Sequence, residues 1–350
     1  MTKKKSVLSN NFWSDFSKIY KNPSLVNQYL IENSDSIEKI VINNFKELKL
    51  DKEYSIYANG GFGKKEMFLS SDVDISIVEN NTTKKNNHNL EAFIAKLWDL
   101  GFQVGHSVRS IKDIKKIAKN DLKEFTSYLT RRALISNPQT DKQITKSLNG
   151  AWNKKSFFSA KLIEQEERYS SYHSTEFNLE PDLKESPGCM RDFQTSLWIL
   201  QQCFNLNSYD EILNSKEFGL EMKSALDSYN FIKTLRFASN ILSSKNRLSF
   251  ESQIEISKSA KLGKSKGKAS VEKMMKDFYG HASNLSNFNN FVFETFKEKN
   301  SFAITKKYGD FYLKGRKIGI KDHEISKNKN LIFGIFIAIG KNKKIDGIDT

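Results

Sequence analysis

The chain has 350 residues, which predicts about two domains, each large enough for its own core. Charged residues make up 28% and apolar residues 38%, a balance typical of a soluble globular protein. Lys plus Arg exceed Asp plus Glu by 56 to 41. This surplus of +15 favours an anionic partner, such as a nucleotide, a nucleic acid or an acidic protein, without choosing among them.

Cysteine content and hydropathy exclude two further classes of protein. Only Cys189 and Cys203 occur, so a disulfide framework is not expected and a reducing cytoplasm fits. No apolar core of signal-peptide length follows the first five residues. Residues 331–340 are apolar but span only about half of a membrane helix, so we interpret them as a buried element and expect no membrane partner.

The first predicted elements are helices and then two strands. Apolar residues recur at helical spacing through residues 11–50, and we assign residues 1–45 as a helical lead-in. Residues 54–57 are rich in β-forming residues, and residues 73–78 alternate apolar and polar like a half-buried strand. The polar segment 80–89 shows no propensity for order and is predicted as a loop.

A helix and a third strand complete the central pattern, which predicts a small mixed sheet covered by helices. We assign residues 46–150 to this domain, with a helix over 90–100 that stops at Gly101 and a strand over 102–109 beside the second strand. Two helices close the domain: one over 113–119, and one that Asn120 or Asp121 caps and that runs to Ile135 before Asn137-Pro138.

The rest of the chain is predicted to be helical and then strand-like. A helical domain is assigned to residues 151–300, with helices over 151–177, from about Arg191, over 209–244 and over 270–298. Shorter strand-like pieces at 311–313 and 318–320 mark residues 301–350 as the start of a further domain. The predicted fold class is therefore α+β, a small mixed sheet with helices followed by an α-helical domain.

The candidate site lies between the first two strands. Gly60 and Gly61 allow close backbone approach to a ligand and offer amide N–H groups to it. Asp72 and Asp74 are two residues apart along a strand, so both point to one face and can share divalent ions. A tight turn and two strand-end aspartates are the ordinary alternative, since each half of the pattern is common by itself.

The motifs in order resemble a known family. The paired glycines and Ser71-Asp72-Val73-Asp74 resemble the polymerase-β-like nucleotidyltransferase fold. Four blocks, in the right order, resemble the bacterial bifunctional PII uridylyltransferase/uridylyl-removing enzymes of nitrogen regulation, and the likeness runs from about residue 50 to the end. They are Leu97-Trp98-Asp99-Leu100-Gly101-Phe102-Gln103-Val104-Gly105-His106-Ser107-Val108-Arg109, Asp182-Leu183-Lys184-Glu185-Ser186-Pro187-Gly188-Cys189-Met190-Arg191-Asp192-Phe193-Gln194, Arg247 to Gln253, and Val271 to Met275.

The resemblance implies transfer of UMP from UTP to a tyrosine of the PII protein, with release of pyrophosphate. Asp72 and Asp74 would be catalytic and would hold Mg²⁺, or alternatively Mn²⁺. The nucleotide phosphates would be contacted by Gly60, Gly61, Ser71 and Lys64. A turn lysine in solvent is as good an interpretation of Lys64.

Other roles stay open. His106 is a candidate base or substrate-orienting group, against a structural histidine. Arg109 and Arg191 are candidate phosphate contacts, against braces at a domain interface. A third carboxylate normally completes the metal site of this fold on a neighbouring strand, and the strand over 102–109 carries none. Weak candidates for this third carboxylate are Asp99, Asp121 and Glu124.

The chain departs from the family pattern at several positions. Cys189 stands where a second glycine is usual, Thr130 where an acid is usual, and Lys65 where a small residue is frequent. Family members continue into a hydrolase domain with a His-Asp metal motif and then two ACT domains. No His-Asp dipeptide occurs here and residues 345–348 look like a family segment cut short, so we expect a fragment or a reduced form without uridylyl-removing activity.

Three rival functions follow from the same residues. One is another protein-modifying enzyme, such as a glutamine-synthetase adenylyltransferase. Another is an RNA-directed nucleotidyltransferase, which the positive charge suggests, but the Arg-Asp pair usual after the glycines is missing, so nucleic acid is not the expected partner. A steep dependence of RNA affinity on salt would identify it. The third is a truncated, inactive protein that still binds PII, against which the intact glycines and aspartates argue.

Overall fold

The computed structural model describes residues 2–80, 87–172, 175–262, 268–300, 306–308, 311–314, 317–319 and 347–348. The chain forms two units, Met1–Asn289 and Asn290–Thr350, and each is described by itself. The predicted boundaries at residues 45, 150 and 300 remain predictions. Across the described ranges, none of the helices combines the length and the apolar character that a membrane crossing requires.

A four-stranded mixed sheet lies at the centre of the first unit, as the sequence predicts. Its strands are β1 (Tyr54–Ala58), β2 (Val73–Glu79), β3 (Val104–Arg109) and β4 (Arg132–Ile135). Their order is β3-β2-β1-β4, with β2 and β3 parallel and the other two pairs antiparallel. This register places Asp74 beside Gly105 on the neighbouring strand.

Helices precede, cover and follow this sheet. Those before and among the strands are α1 (Thr2–Lys21), α2 (Val26–Glu47), the single turn α3 (Gly60–Gly63), α4 (Asn87–Asp99), α5 (Ile111–Asn120), α6 (Leu122–Leu129) and α7 (Pro138–Leu148), with a 3₁₀ turn at Pro23–Leu25. Those after the sheet are α8 (Lys154–Ser171), α9 (Met190–Phe204), α10 (Tyr209–Leu213), α11 (Gly219–Ser243), α12 (Phe250–Ser259) and α13 (Lys268–Asn300). The α+β class is confirmed.

The core of the sheet domain forms where α2 and α4 pack on one face of the sheet. Phe45 of α2 and Phe93 of α4 are fully buried, and their ring centres are 5.3 Å apart. Ile75 and Ile77 of β2 belong to the same cluster. Because strand side chains alternate between faces, burial of these two isoleucines leaves Asp74 on the opposite face.

The prediction of one helix from Asp121 to Ile135 is wrong. Asp121 does cap α6, since its side chain accepts a hydrogen bond from the backbone N–H of Glu124. The helix ends at Leu129, and Arg132–Ile135 instead pair with β1 as strand β4. The helix propensity of residues 132–135 is overridden, because the edge of β1 would otherwise leave backbone N–H and C=O groups unpaired.

Other boundaries also differ from the prediction. The segment 209–244 is two helices, and Gly219 starts the second where a Cβ would lie 2.3 Å from the carbonyl oxygen of Leu213. The helix over 151–177 ends at Ser171, and α4 starts at Asn87 within the predicted loop 80–89. Residues 81–86 of that loop and the apolar segment 331–340 lie outside the described residues.

The second unit contains a small sheet of its own. Its strands are β5 (Lys306–Tyr308), β6 (Phe311–Lys314), β7 (Lys317–Gly319) and β8 (Gly347–Ile348), in the order β5-β6-β7-β8. The strand predicted over 311–313 is confirmed, and so is 318–319 of the other predicted piece, while residue 320 lies outside the described ranges.

Candidate active site

The glycine turn lies directly against the catalytic-site carboxylate that the sequence predicts. Gly60 has φ +52°, and a Cβ there would lie 3.3 Å from Oδ2 of Asp74. Asn59 fixes the turn to β2, because its N–H donates to the carbonyl oxygen of Asp74 at 2.9 Å and its amide donates to Oγ of Ser76 at 2.5 Å. The turn therefore requires glycine for both conformation and space.

The end of the same turn is closed by the backbone of β1, by the backbone at the end of α6 and by a side chain of β4. A Cβ on Gly63 would lie 2.4 Å from the carbonyl oxygen of Thr130 and 2.8 Å from that of Ala58. Arg132 of β4 donates to the carbonyl oxygens of Gly63 and Phe62 at 3.1 and 3.3 Å. These contacts hold the glycine turn rigidly beside β2.

The two predicted carboxylates are neighbours in space as well as in sequence. Asp74 lies within β2 and Asp72 immediately before it. Asp74 keeps contact with solvent, but partial burial at the cavity wall raises its pKa above the usual value, and the negative charge of Asp72 raises the pKa further. A bound cation would relieve both effects, since it stabilises the ionised form of the two carboxylates.

Gly105 is a site residue that the sequence prediction missed. It pairs with Asp74 in the β2–β3 register, and a Cβ at this position would lie 2.4 Å from Oδ1 of Asp74. The space that the absent side chain leaves is therefore occupied by the carboxylate. A glycine inside a predicted strand was the available signal, because such glycines often mark a close approach of other groups.

A cavity of about 620 Å³, here called the first cavity, opens in front of Asp74 and Gly60. Its other walls come from α6, α8 and α9, so helices on both sides of residue 150 contribute to one site. The lining side chains are mainly hydroxyls and charged groups, namely Lys123, Thr126, Ser127, Thr130, Glu164, Glu167, Arg168, Ser171, Glu185 and Arg191, together with Trp198. This is a polar cavity suited to a charged ligand.

Arg191 reaches this cavity from the first turn of α9, as part of a bidentate ion pair with the loop before that helix. Its guanidinium donates to the two carboxylate oxygens of Glu185 at 2.8 and 3.1 Å, and to the side chain of Gln194 at 3.0 Å. Burial and the neighbouring Arg191 and Arg236 lower the pKa of Lys184, and the carboxylates of Glu185 and Asp74 oppose this, so the loop before α9 also brings a lysine towards Asp74. Sequence prediction had no signal for Lys184 as a site residue.

A buried network fixes that loop. Asp192 is fully buried and accepts hydrogen bonds from Arg168 at 2.5 Å, from Tyr169 at 2.7 Å and from the N–H of Gly188 at 2.6 Å. Burial raises the pKa of Asp192, while the guanidinium of Arg168 opposes that rise. The network ties the loop to α8 and thereby sets the position of Arg191 at the cavity wall.

Not every predicted site residue is brought to the carboxylates. His106 neighbours Ile75 in the register and therefore lies on the opposite face of the sheet, with its ring 6.0 Å from that of Trp98. Arg109 pairs bidentately with Glu124 at 2.6 and 2.9 Å, which raises the pKa of Arg109. The structure thus gives both residues other partners, and their predicted roles remain predictions.

Three further predicted positions have local partners. The Ser71 hydroxyl accepts a hydrogen bond from the N–H of Phe68 at 3.1 Å. The N–H of Glu66 donates to the carbonyl oxygen of Gly61 at 2.8 Å. Lys64 lines a different cavity, where its ammonium is 5.6 Å from the ring centre of Trp198. Their nucleotide-binding roles remain predictions.

The third carboxylate is not located. Within the described part of the chain, no three His, Cys, Asp or Glu side chains are grouped so that they could hold a metal ion. Of the candidates, Glu124 is paired with Arg109 and Asp121 caps α6. Asp72 and Asp74 alone still fit Mg²⁺, which is commonly held by one or two carboxylates together with substrate phosphates.

The mixed sheet, the glycine turn and the adjacent carboxylates match the class that the motifs indicated, a nucleotidyltransferase-type α+β domain with a helical region. Comparisons with known proteins narrow this class. A family model described as GlnD PII-uridylyltransferase matches residues 156–293. A bifunctional uridylyltransferase/uridylyl-removing enzyme of Acinetobacter baylyi is 31% identical over 351 residues, covering 95% of this chain and 39% of that protein.

Two further relatives carry the same description. The enzyme of Haemophilus influenzae is 36% identical over 77% of this chain and 32% of its own length. That of Aliivibrio fischeri is 31% identical over 92% of this chain and 38% of its own length. The chain is therefore related to the bifunctional uridylyltransferase/uridylyl-removing enzymes over almost its whole length, and the predicted resemblance is confirmed. It spans about two fifths of the length of these relatives.

Proposed function

We propose that this protein is a Mg²⁺-dependent uridylyltransferase that moves UMP from UTP to a tyrosine hydroxyl of a PII signalling protein. The observation that carries the proposal is the position of Asp74. This carboxylate lies beside Asp72, the Gly60 turn and Gly105, at the wall of a polar cavity. The names of the relatives and of the matching family support the choice of uridylyl group and of PII as acceptor.

The reaction exchanges a phosphoanhydride bond of UTP for a phosphodiester bond to tyrosine. The tyrosine oxygen forms a bond to the α-phosphorus of UTP, the bond from that phosphorus to the bridging oxygen breaks, and pyrophosphate leaves while the phenol loses its proton. Mg²⁺, held by Asp72 and Asp74, would supply charge neutralisation for the attacking and leaving oxygens. The two carboxylates must be ionised for this role, and their mutual repulsion favours cation binding.

The chain's own residues position the nucleotide. Gly60 leaves room beside Asp74, so that a phosphate can approach the backbone of the turn closely. Arg191 faces the same cavity and is held by Glu185, which orients its guanidinium before any ligand binds. Such preorganised charge is most effective where negative charge is transferred to a leaving group.

The test is transfer of labelled UMP from UTP to a purified PII protein in the presence of Mg²⁺. Wild type should label PII, and the Asp72→Ala/Asp74→Ala double variant should not. UTP binding without transfer would contradict the catalytic proposal and favour a nucleotide-binding fragment. Absence of both UTP binding and transfer would leave only the fold. Labelling of RNA or of another protein in place of PII would support the rival transferases.

A further inference from the structure

A second cavity, also of about 620 Å³, lies next to the first and shares Thr130 and Trp198 with it. Its walls come from α2, α9, α10 and α11 and from the chain just after the glycine turn. Part of the wall is aliphatic, formed by Ile31, Leu129, Leu197, Leu206, Ile212 and Leu226, and the rest is mainly polar or charged. A cavity of this size and composition is typical of a site for a small organic molecule.

Positively charged side chains outnumber negatively charged ones in the wall of this second cavity. Lys65 is paired with Asp35 at 2.8 Å, and Lys233 is paired with Glu66 at 3.2 Å. The Tyr229 hydroxyl donates a hydrogen bond to the other carboxylate oxygen of Glu66 at 2.7 Å. Lys64 also lines the cavity, and it forms no ion pair with any side chain in the described ranges. Burial lowers the pKa of Lys64, and the nearby carboxylate of Glu66 opposes this. Glu66 therefore faces two lysines, Lys64 and Lys233, and its single negative charge balances only one of them.

Trp198, whose ring lies near this lysine, carries a second hydrogen-bond donor. Trp198 is 8% exposed, and its indole Nε1–H has no hydrogen-bond partner within the described part of the chain. The Lys64 ammonium is 5.6 Å from the centre of the Trp198 ring. Buried donors are nearly always satisfied, because an unpaired one loses its hydrogen bonds to water without replacement.

We propose that the second cavity binds a small organic anion, whose charged oxygens pair with Lys64 and whose apolar body contacts the aliphatic wall. The shared chemistry is a carboxylate or phosphate group on an apolar skeleton. The site differs from that for the nucleotide, since Asp74 and Gly60 line the first cavity and not this one. The proposal concerns binding alone and does not depend on the uridylyltransferase reaction.

Ligand-observed NMR titration tests this binding with two probes of the same shape, 3-phenylpropionate and its neutral amide 3-phenylpropanamide. Wild type should bind the anion about tenfold or more tightly than the amide, because a hydrogen bond to a charged group is the stronger kind. Lys64→Met should remove this preference. The matched variant Lys65→Met should keep it, because Lys65 already has Asp35 as its partner.

Two cavity-filling variants locate the site. Leu226→Trp fills the second cavity and should abolish probe binding, whereas Ser171→Trp fills the first cavity and should leave it unchanged. Circular dichroism checks that each variant is folded. If Leu226→Trp does not fold, the comparison of Lys64→Met with wild type tests the proposal. Equal binding of anion and amide, no effect of Lys64→Met, or displacement of the probe by UTP with Mg²⁺ would each overturn the proposal.

Discussion

Gly105→Ala should displace the carboxylate of Asp74 while changing the stability of the fold only slightly. The added Cβ would lie 2.4 Å from Oδ1 of Asp74, whereas ordinary contacts begin near 3.4 Å. The carboxylate must therefore move by about 1 Å, and a misplacement of that size can cost about 100-fold in rate. This corresponds to about 2.7 kcal/mol of transition-state stabilisation. Folding stability should change by no more than about 1 kcal/mol, since alanine suits a strand better than glycine.

The assay is kcat/KM for UMP transfer to PII, together with urea unfolding of the same samples. Gly280→Ala is the matched control, because no atom lies within 4 Å of a Cβ at that helical position. It should keep full activity and gain up to about 1 kcal/mol in stability. Near-wild-type activity of a folded Gly105→Ala variant would refute the assignment of Asp74 as the catalytic carboxylate.

Two further predictions concern the loop before α9 and the paired carboxylates. Gly188→Ala should destabilise the protein by more than 2 kcal/mol, or about 30-fold in the unfolding equilibrium, because its Cβ would lie 2.5 Å from the carbonyl oxygen of Ala282. Gly150→Ala, at similar positive φ but with open space, should cost only about 1 kcal/mol in urea unfolding. Asp72→Asn should lower the pKa of Asp74 in an NMR titration, since the neighbouring charge raises it, and should weaken Mg²⁺ binding. An unchanged pKa, or equal losses in the two glycine variants, would contradict these contacts.

Sequence periodicity and short motifs were sufficient for the local features. The alternating pattern of 73–78 corresponds to β2, Gly101 ends α4 with φ +81°, and the Asp121 side chain caps α6. Each of these depends on interactions within a few residues, which is the range that such patterns report.

What the sequence could not supply depends on contacts between distant segments. Strand β4 forms because β1 offers it a partner, although the residues themselves suit a helix. Gly105 is significant only through the register that sets it against Asp74. Arg191, in the first turn of α9, lines the first cavity although it follows the aspartates by more than 100 residues, and the third carboxylate remains unplaced among the described residues.

Comparison of two labels in UTP tests the central claim most directly. Wild-type protein is incubated with a PII protein and Mg²⁺, once with label on the α-phosphate and once with label on the γ-phosphate. Only the α-label should become attached to a PII tyrosine, and Asp74→Asn should abolish the attachment. Transfer of the γ-label, or α-label transfer that survives loss of the Asp74 charge, would contradict uridylyl transfer at this site.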